Sequence, residues 1–301
     1  MPKFKTIYLT AKRYTQGISE TLIALIEYLE KNAVKVILDQ ETIAMLQANR
    51  VKKTTIYNLS NNYEHFELSK LKPQCDLIIV IGGDGSLLST AKIAADQNIP
   101  IVGVNRGTLG FLTDINPEYI ESIGKILRGN YIEETRFLLN ASIKHDDKII
   151  NQDLALNDVV LLPSHNNRMI EFSVYINKQF VCTHKADGII VATPTGSTAH
   201  ALSGGGPILH PGLDAIVLLP MFPHTLSSRP IVVTGDSHIE IIMNKNYESY
   251  PNVSYDGRKL VPIPSSGKID IKKHINRLRL IHLHDYNYFE TLRVKLKWEN
   301  K

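Results

Sequence analysis

The sequence predicts two domains of different class. Residues 1–135 read as an α/β domain with a parallel sheet, residues 136–280 as an all-β, sandwich-like domain, and residues 281–301 as a tail returning to the first. Three observations carry this reading. Short, fully apolar runs alternate with helical patterns through the first third, as parallel strands with crossover helices require. Beyond Thr135 the pattern changes to alternating apolar and polar residues, and no long helical pattern recurs between 136 and 278. A length of 301 residues also exceeds one average domain.

The elements follow in order. Phe4 to Leu9 reads as a strand, and Ser19 to Glu30 as a helix with Leu22, Leu25, Ile26 and Leu29 on one face and Ser19 as its N-cap. Val34 to Leu38 is a second strand, Ile43 to Leu46 the centre of a second helix, and residues 47–70 a polar surface excursion. Leu77 to Ile81 is apolar at every position, the mark of a strand covered on both faces, and runs directly into Gly82-Gly83-Asp84-Gly85-Ser86. Leu87, Leu88, Ala91, Ala94 and Ala95 then mark a helix, and Ile99 to Val104 a strand ending in Asn105-Arg106-Gly107. Pro117 to Leu127 reads as one more helix with Gly129 past its end. In the second domain, residues 170–176 alternate cleanly, and the same period returns at Ile239/Ile241 and Ile269/Ile271. Leu278 to Leu283 and the aromatic tail through Trp298 lead back to the first domain.

Composition excludes several classes. With 43% hydrophobic and 21% charged residues the chain is globular rather than disordered. The net charge of +4 is spread along the chain, densest only from Lys268 to Arg279, which argues against nucleic acid and suits a small anionic ligand. Cys75 and Cys182 form no metal-binding or disulfide spacing, and no other histidine spacing suggests a metal. The N-terminus lacks the apolar stretch of a signal peptide, and no window spans a membrane, so the chain is expected in the cytoplasm. The Asn-x-Ser matches at Asn58, Asn140 and Asn252 then carry no meaning.

Four segments could carry chemistry. Glycines at a strand-to-helix turn, here Gly82-Gly83-Asp84-Gly85, let backbone N–H groups approach phosphate at a helix N-terminus. Asp84 is out of place there unless it binds a metal, accepts a proton, or merely caps the helix. The segment Thr193-Pro194-Thr195-Gly196-Ser197-Thr198-Ala199 is dense in hydroxyls, which suits ribose and phosphate oxygens or a loop that satisfies itself. Ser203-Gly204-Gly205-Gly206-Pro207 follows, and ordered glycines cost about 1 kcal/mol each, so a close backbone approach is the expected reason for them. Asn157-Asp158 and Ser254-Tyr255-Asp256-Gly257-Arg258 each read, alone, as turns. The loop Pro223 to Pro230 carries His224, a structural histidine more often than a base.

In this order and spacing the segments resemble the NAD kinase family over nearly the whole chain. The likeness rests on Gly82 to Ser86, Asn105-Arg106-Gly107 with Leu109-Gly110-Phe111-Leu112, Asn157-Asp158, Asp187-Gly188, Thr193 through Pro207, and Pro223 through Pro230; Tyr286-Asn287-Tyr288-Phe289 resembles bacterial members. Gly-Gly-Asp-Gly alone is shared with phosphofructokinases and lipid kinases, so a lipid or sugar kinase stands as one alternative and a non-catalytic dinucleotide sensor as another. The resemblance implies a Rossmann-like, phosphofructokinase-like first domain and transfer of the γ-phosphoryl of ATP to the adenosine-ribose 2′-OH of NAD, with a divalent metal cation such as Mg²⁺. It implies Asp84 as the base, and Asp84, Gly85, Asn157, Asp158, Arg168, Lys185, Asp187, Thr198, Ala199, His200, Ala201, Leu202, Ser203 and Arg258 as NAD-binding. Gly82, Gly83, Ser86, Thr195 and Gly196 are expected near phosphate, no protein metal ligand is expected, and the assembly is a homodimer or homotetramer. Against the common pattern, His200 replaces Tyr, Lys185 replaces Arg, Asp158 is shorter than the usual Glu, and Arg258 stands where an uncharged polar residue is frequent.

Overall fold

A computed structural model describes residues 2–11, 17–48, 75–107, 109–164, 169–244 and 250–298. The chain divides into two compact units, residues 1–135 with 278–301, and residues 136–277. In the first, strands β1 (Thr6–Ala11), β2 (Lys35–Leu38), β3 (Leu77–Gly82) and β4 (Ile101–Asn105) alternate with helices α1 (Ile18–Lys31), α2 (Gln40–Ala48) and α3 (Asp84–Asp96), followed by the short α4 (Ser122–Leu127). Strand β5 (Ile132–His145) carries the chain into the second unit. There follow β6 (Lys148–Ala155), β7 (Asp158–Leu162), β8 (Ile170–Ile176), β9 (Gln179–Ala186), β10 (Gly188–Ala192), the single turn α5 (His200–Ser203), β11 (Ala215–Met221), β12 (Ile231–Thr234), β13 (Ile239–Met243), β14 (Asn252–Tyr255) and β15 (Leu260–Pro262). Strand β16 (Lys268–His282) brings the chain back, and α6 (Tyr288–Leu296) ends it.

The first unit is an open parallel sheet in the order β2-β1-β3-β4, with Leu280 of β16 joining β4 in parallel register at Ile101. Every residue of β3 and β4 is buried, as the unbroken apolar runs require. Ile18, Leu22, Leu25, Ile26 and Leu29 of α1 pack into the same core as Ile7, Ile79, Ile81 and Val104. Ser19 is not the N-cap of this helix. That place belongs to Gly17 in a left-handed conformation (φ 76°), with Ser19 buried at the second helical position. The helix expected over Pro117 to Leu127 is two pieces, a 3₁₀ turn at Pro117–Tyr119 capped by the Asn116 side chain, then α4. Gly129 follows in the left-handed region, as a helix C-terminus favours. Most of the expected excursion at 47–70 lies outside the described residues.

The second unit is built from antiparallel pairs. One sheet runs β12-β11-β10-β7-β14-β15, and the other pairs β16-β13-β8-β9, with β6 on β5. Between them lies a core of Val159, Leu161, Ile189, Val191, Ile216 and Leu218 from the first sheet and Phe172, Val174, Ile239, Ile241, Ile269 and Ile271 from the second. The period-two alternation thus marks the inward face of a sandwich. On the other face of the six-stranded sheet, Val160, Ile190, Val217 and Leu219 form a smaller apolar cluster with Ala201 and Leu209.

Candidate functional site

In the first unit the turn after β3 sets an acid at the start of a helix. Gly82 takes a φ of 148° that side chains rarely adopt, Gly83 is the extended N-cap, and Asp84 is the first residue of α3. Asp84 is therefore not the cap. A Cβ built on Gly83 or Gly85 would meet nothing within 4 Å, so both face open space. Gly82, in contrast, lies against the buried Ser86.

The Asp84 carboxylate turns to the loop that follows β4. Its Oδ2 accepts from Phe111 N at 2.8 Å, and its Oδ1 from Leu112 N at 3.0 Å and Thr113 Oγ1 at 3.2 Å. The loop is held in turn from β4, because Asn105 Nδ2 donates to Thr113 O at 3.0 Å and Gly110 N to the same oxygen at 3.2 Å. A side chain on Gly103 would collide with Leu112 and Thr113 backbone, and one on Gly110 with Asp84 Oδ1. These residues lie in or beside the Asn105 to Leu112 segment, yet no spacing in the sequence shows that they grip Asp84.

One residue beyond Thr113, Asp114 Oδ2 lies 2.9 Å from Nδ1 of His282, whose ring is fully buried and stacked 3.8 Å from Tyr286. Burial disfavours the imidazolium, but hydrogen bonds and charge from Asp114 and Glu134 outweigh it and raise the His282 pKa.

In the second unit the turn between β14 and β15 has positive φ at both Asp256 (53°) and Gly257 (66°), the backbone of a tight hairpin. It does more than reverse the chain. The Asp256 carboxylate accepts from the backbone N–H of Leu156 (3.1 Å), Asn157 (2.7 Å) and Asp158 (3.2 Å), while Asp256 N donates to Asp158 O. Sequence reasoning treated Asp256 only as a turn residue.

Asp158 is 1% exposed, and its Oδ1 has no hydrogen-bond partner among the described residues. It faces Nδ1 of the largely exposed His200 across 3.6 Å, an ion-pair distance. Burial pushes its pKa up to about 6; His200 opposes the shift and Asp256 adds to it. His200 lines a groove of about 780 Å³ together with Ser203, Gly204 and Arg258, over a floor that includes Val160, Ile190 and Leu219. The structure thus brings His200, Ser203 and Arg258 to one groove with Asp158 behind His200.

Other expected contacts divide differently. The hydroxyls of the 193–198 loop are turned inward: Thr193 Oγ1 donates to Leu156 O, Ser197 Oγ to Pro194 O and Thr198 Oγ1 to Thr195 O. Thr195 Oγ1 accepts from Arg136 of β5, and Gly196 N donates to Thr193 Oγ1. Ala201 is fully buried in the apolar cluster and offers no surface, whereas Ala199 and Leu202 are half-buried. The Gly204 and Gly206 backbones approach Leu219 and Ala201 of the same chain, which accounts for glycine there without a ligand. Lys185 is exposed and Asp187 half-buried, and neither lines the groove. Arg168 lies outside the described residues.

Among the described residues one group of three could hold a metal, His238, Glu240 and Asp270. Cations already sit there: Lys144 Nζ is 3.1 Å from Asp270 Oδ2, and Lys268 pairs with Glu240. This donor set does not fit a resident metal.

An α/β unit with an acid in a glycine turn, joined to a β-sandwich with a polar-rimmed groove, suits a kinase of small molecules. Residues 7–131 match the ATP-NAD kinase N-terminal domain family and residues 156–283 the ATP-NAD kinase C-terminal domain family. The NAD kinase of Coxiella burnetii is 48% identical over 300 residues, covering 100% of this chain and 96% of that protein. The NAD kinase of Pseudomonas entomophila is 46% identical over 302 residues, covering 100% and 98%. The fold is that of yeast NADH kinase complexed with NADH (TM-score 0.88, 24% identity, 100% of this chain and 89% of the other). It is also that of an Archaeoglobus fulgidus NAD kinase in complex with ATP (TM-score 0.72, 24% identity, 98% and 100%). The chain belongs to the NAD kinase family. It is an enzyme with NAD kinase activity, not the lipid or sugar kinase or the silent sensor that its glycine turn alone would allow.

Proposed function

We propose that the chain transfers the γ-phosphoryl of ATP to the 2′-OH of the adenosine ribose of NAD, with Asp84 as the general base. The observation that carries this is the state of the Asp84 carboxylate. Two oxygens offer about four acceptor sites, and three are taken by Phe111, Leu112 and Thr113, leaving one for a hydroxyl. The ribose O–H bond breaks as its proton passes to Asp84, the ribose oxygen bonds to the γ-phosphorus, and ADP leaves with the electrons of the severed P–O bond. Phosphoryl transfer leaves the protein little covalent work, so positioning dominates.

The second unit supplies the dinucleotide groove. Asp158, kept acceptor-only when ionised, takes a donor of the adenosine with Asn157 beside it, while His200, Ser203 and Arg258 line the groove. Lys185, Asp187 and Thr198 are assigned to NAD by the family resemblance alone, since none of them lines the groove. Gly83 and Gly85 leave open space for phosphate at the start of α3. A divalent cation such as Mg²⁺, bound together with ATP, would neutralise charge on the phosphates. A cytoplasmic location belongs to the same reading, on the expectation drawn from the sequence.

Phe222 and Leu260 line the groove and are 80% and 53% exposed, and Leu226, in the loop that follows Phe222, is 94% exposed. A second copy of the chain, in a homodimer or homotetramer, covers this apolar surface. Sedimentation of the wild type should show the oligomer, and Leu226→Asp should shift it toward monomer; a monomeric wild type overturns this part.

For the reaction, Asp84→Asn should lower kcat by roughly 10²–10⁴ in an assay that follows NADP formed from ATP and NAD. Undiminished turnover would remove Asp84 from the role of base.

A further inference from the structure

We infer that Thr113 is a positioning residue that fixes the plane of the Asp84 carboxylate, so that the outer oxygen, Oδ2, takes the proton. The inference rests on Asp84 acting as the base. The two oxygens are not equivalent. Oδ1 accepts from both Leu112 N and Thr113 Oγ1 and lies against the bare Cα of Gly110, where a single added carbon would collide with Oδ1 and with the Thr113 hydroxyl. An oxygen with two donors and a backbone against it has no place for a third partner. Among the described residues, Oδ2 accepts from Phe111 N alone. The free acceptor site of the carboxylate is therefore on Oδ2.

Thr113 is itself held. It is fully buried, and its carbonyl accepts from Asn105 Nδ2 and Gly110 N. Gly103 in β4 provides the clearance for its backbone. The hydroxyl is thus a fixed donor supplied by the scaffold, and it is the side-chain contact among the three that hold Asp84. A half-turn of the carboxylate exchanges two equal oxygens, so the hydroxyl does not choose between them; with Leu112 N it fixes the plane of the group and fills the inner position, which leaves the outer oxygen, here Oδ2, to face the substrate. During transfer, the ribose O–H bond breaks, its proton goes to Oδ2, and the ribose oxygen takes the γ-phosphoryl while ADP departs.

The test compares Thr113→Val, Thr113→Ser and Asp84→Asn in steady-state kinetics with ATP, Mg²⁺ and NAD. Thr113→Val keeps the shape and removes the donor. It should lower kcat roughly tenfold, the scale of one hydrogen bond to a charged group, with KM for NAD and ATP unchanged. Thr113→Ser should restore most of the lost kcat. Should the valine variant fail to fold, Thr113→Ala against Thr113→Ser gives the same comparison. If Asp84→Asn is crippled while Thr113→Val turns over normally, the positioning role falls and the base stands. If Ser is as slow as Val, the contact is packing rather than hydrogen bonding, and the inference falls. If Asp84→Asn keeps its turnover, the base falls and the role of Thr113 falls with it.

Discussion

Asp158→Asn should stabilise the ligand-free protein at neutral pH while weakening its hold on NAD. The carboxyl is 2% exposed, and its pKa rises from 3.8 to about 6, with burial the chief cause. An acid whose folded pKa lies above its unfolded value favours folding fully below the unfolded pKa, and that advantage is lost as the pH rises through the folded one. The window therefore runs from about pH 4 to pH 6. Two pKa units at about 1.4 kcal/mol each make the ionised carboxylate cost roughly 3 kcal/mol at pH 7.5; at pH 5 the same linkage leaves about half of that. The buried amide that replaces it carries its own desolvation cost of about 1–3 kcal/mol, but that cost does not vary with pH. The decisive quantity is thus the change in the difference: the advantage of D158N over wild type should shrink by about 1.5 kcal/mol between pH 7.5 and pH 5. At about 2–4 °C per kcal/mol, this is a change of roughly 3–6 °C in the Tm difference. Thermal melts at both pH values measure it, and repeating them in a His200→Gln background removes the facing imidazole. A Tm difference independent of pH in both backgrounds would refute the reasoning.

His282→Gln should break the buried contact with Asp114 and Glu134 and cost about 3 kcal/mol near pH 6. Because the imidazole pKa is raised in the folded state, the stabilisation is complete below the ordinary His value near 6.5 and is lost as pH climbs past the folded value, so urea unfolding should show a smaller gap at pH 9. Equal gaps at both pH values would remove the charge from the explanation. Gly110→Ala should lower kcat at least tenfold and cost about 1–3 kcal/mol, because its methyl group takes the place of Asp84 Oδ1; kinetics beside a melting curve check both, and normal turnover would show that the loop can retreat without moving the acid.

The fold was legible where burial imposes a simple pattern. Leu77 to Ile81 is covered on both faces and reads as an apolar run, and Ile170, Phe172 and Val174 face the sandwich core and alternate with more exposed residues. What escaped was local and polar. Ser19 has the right chemistry for a cap, but the chain enters α1 through a left-handed Gly17, whose carbonyl is bound by Arg106 from far along the sequence. Pro117 to Leu127 has the composition of one helix, yet the Asn116 cap makes a 3₁₀ turn that ends before α4 begins. A hydrogen bond from a distant segment leaves no periodicity to read.

The same limit governs the site. The residue types that suit phosphate and ribose also suit a loop that must satisfy itself, and only coordinates separate the two uses. Thr193, Ser197 and Thr198 turned their hydroxyls to their own backbone, whereas Asp256, which looked like half of a turn, clamps three consecutive amides under the groove. Glycine divides in the same way. Gly83 and Gly85 look onto open space, where a ligand can come close to the backbone; Gly110 and Gly196 are pressed against Asp84 and Asn157 of the chain itself. Both uses need the same missing Cβ, so the sequence writes them with one letter. The division has a mechanistic consequence. In the proposed reaction the first pair would make room for the phosphates, while Gly110 makes room for the donors that hold the acid, so substitutions at the two should separate substrate binding from turnover.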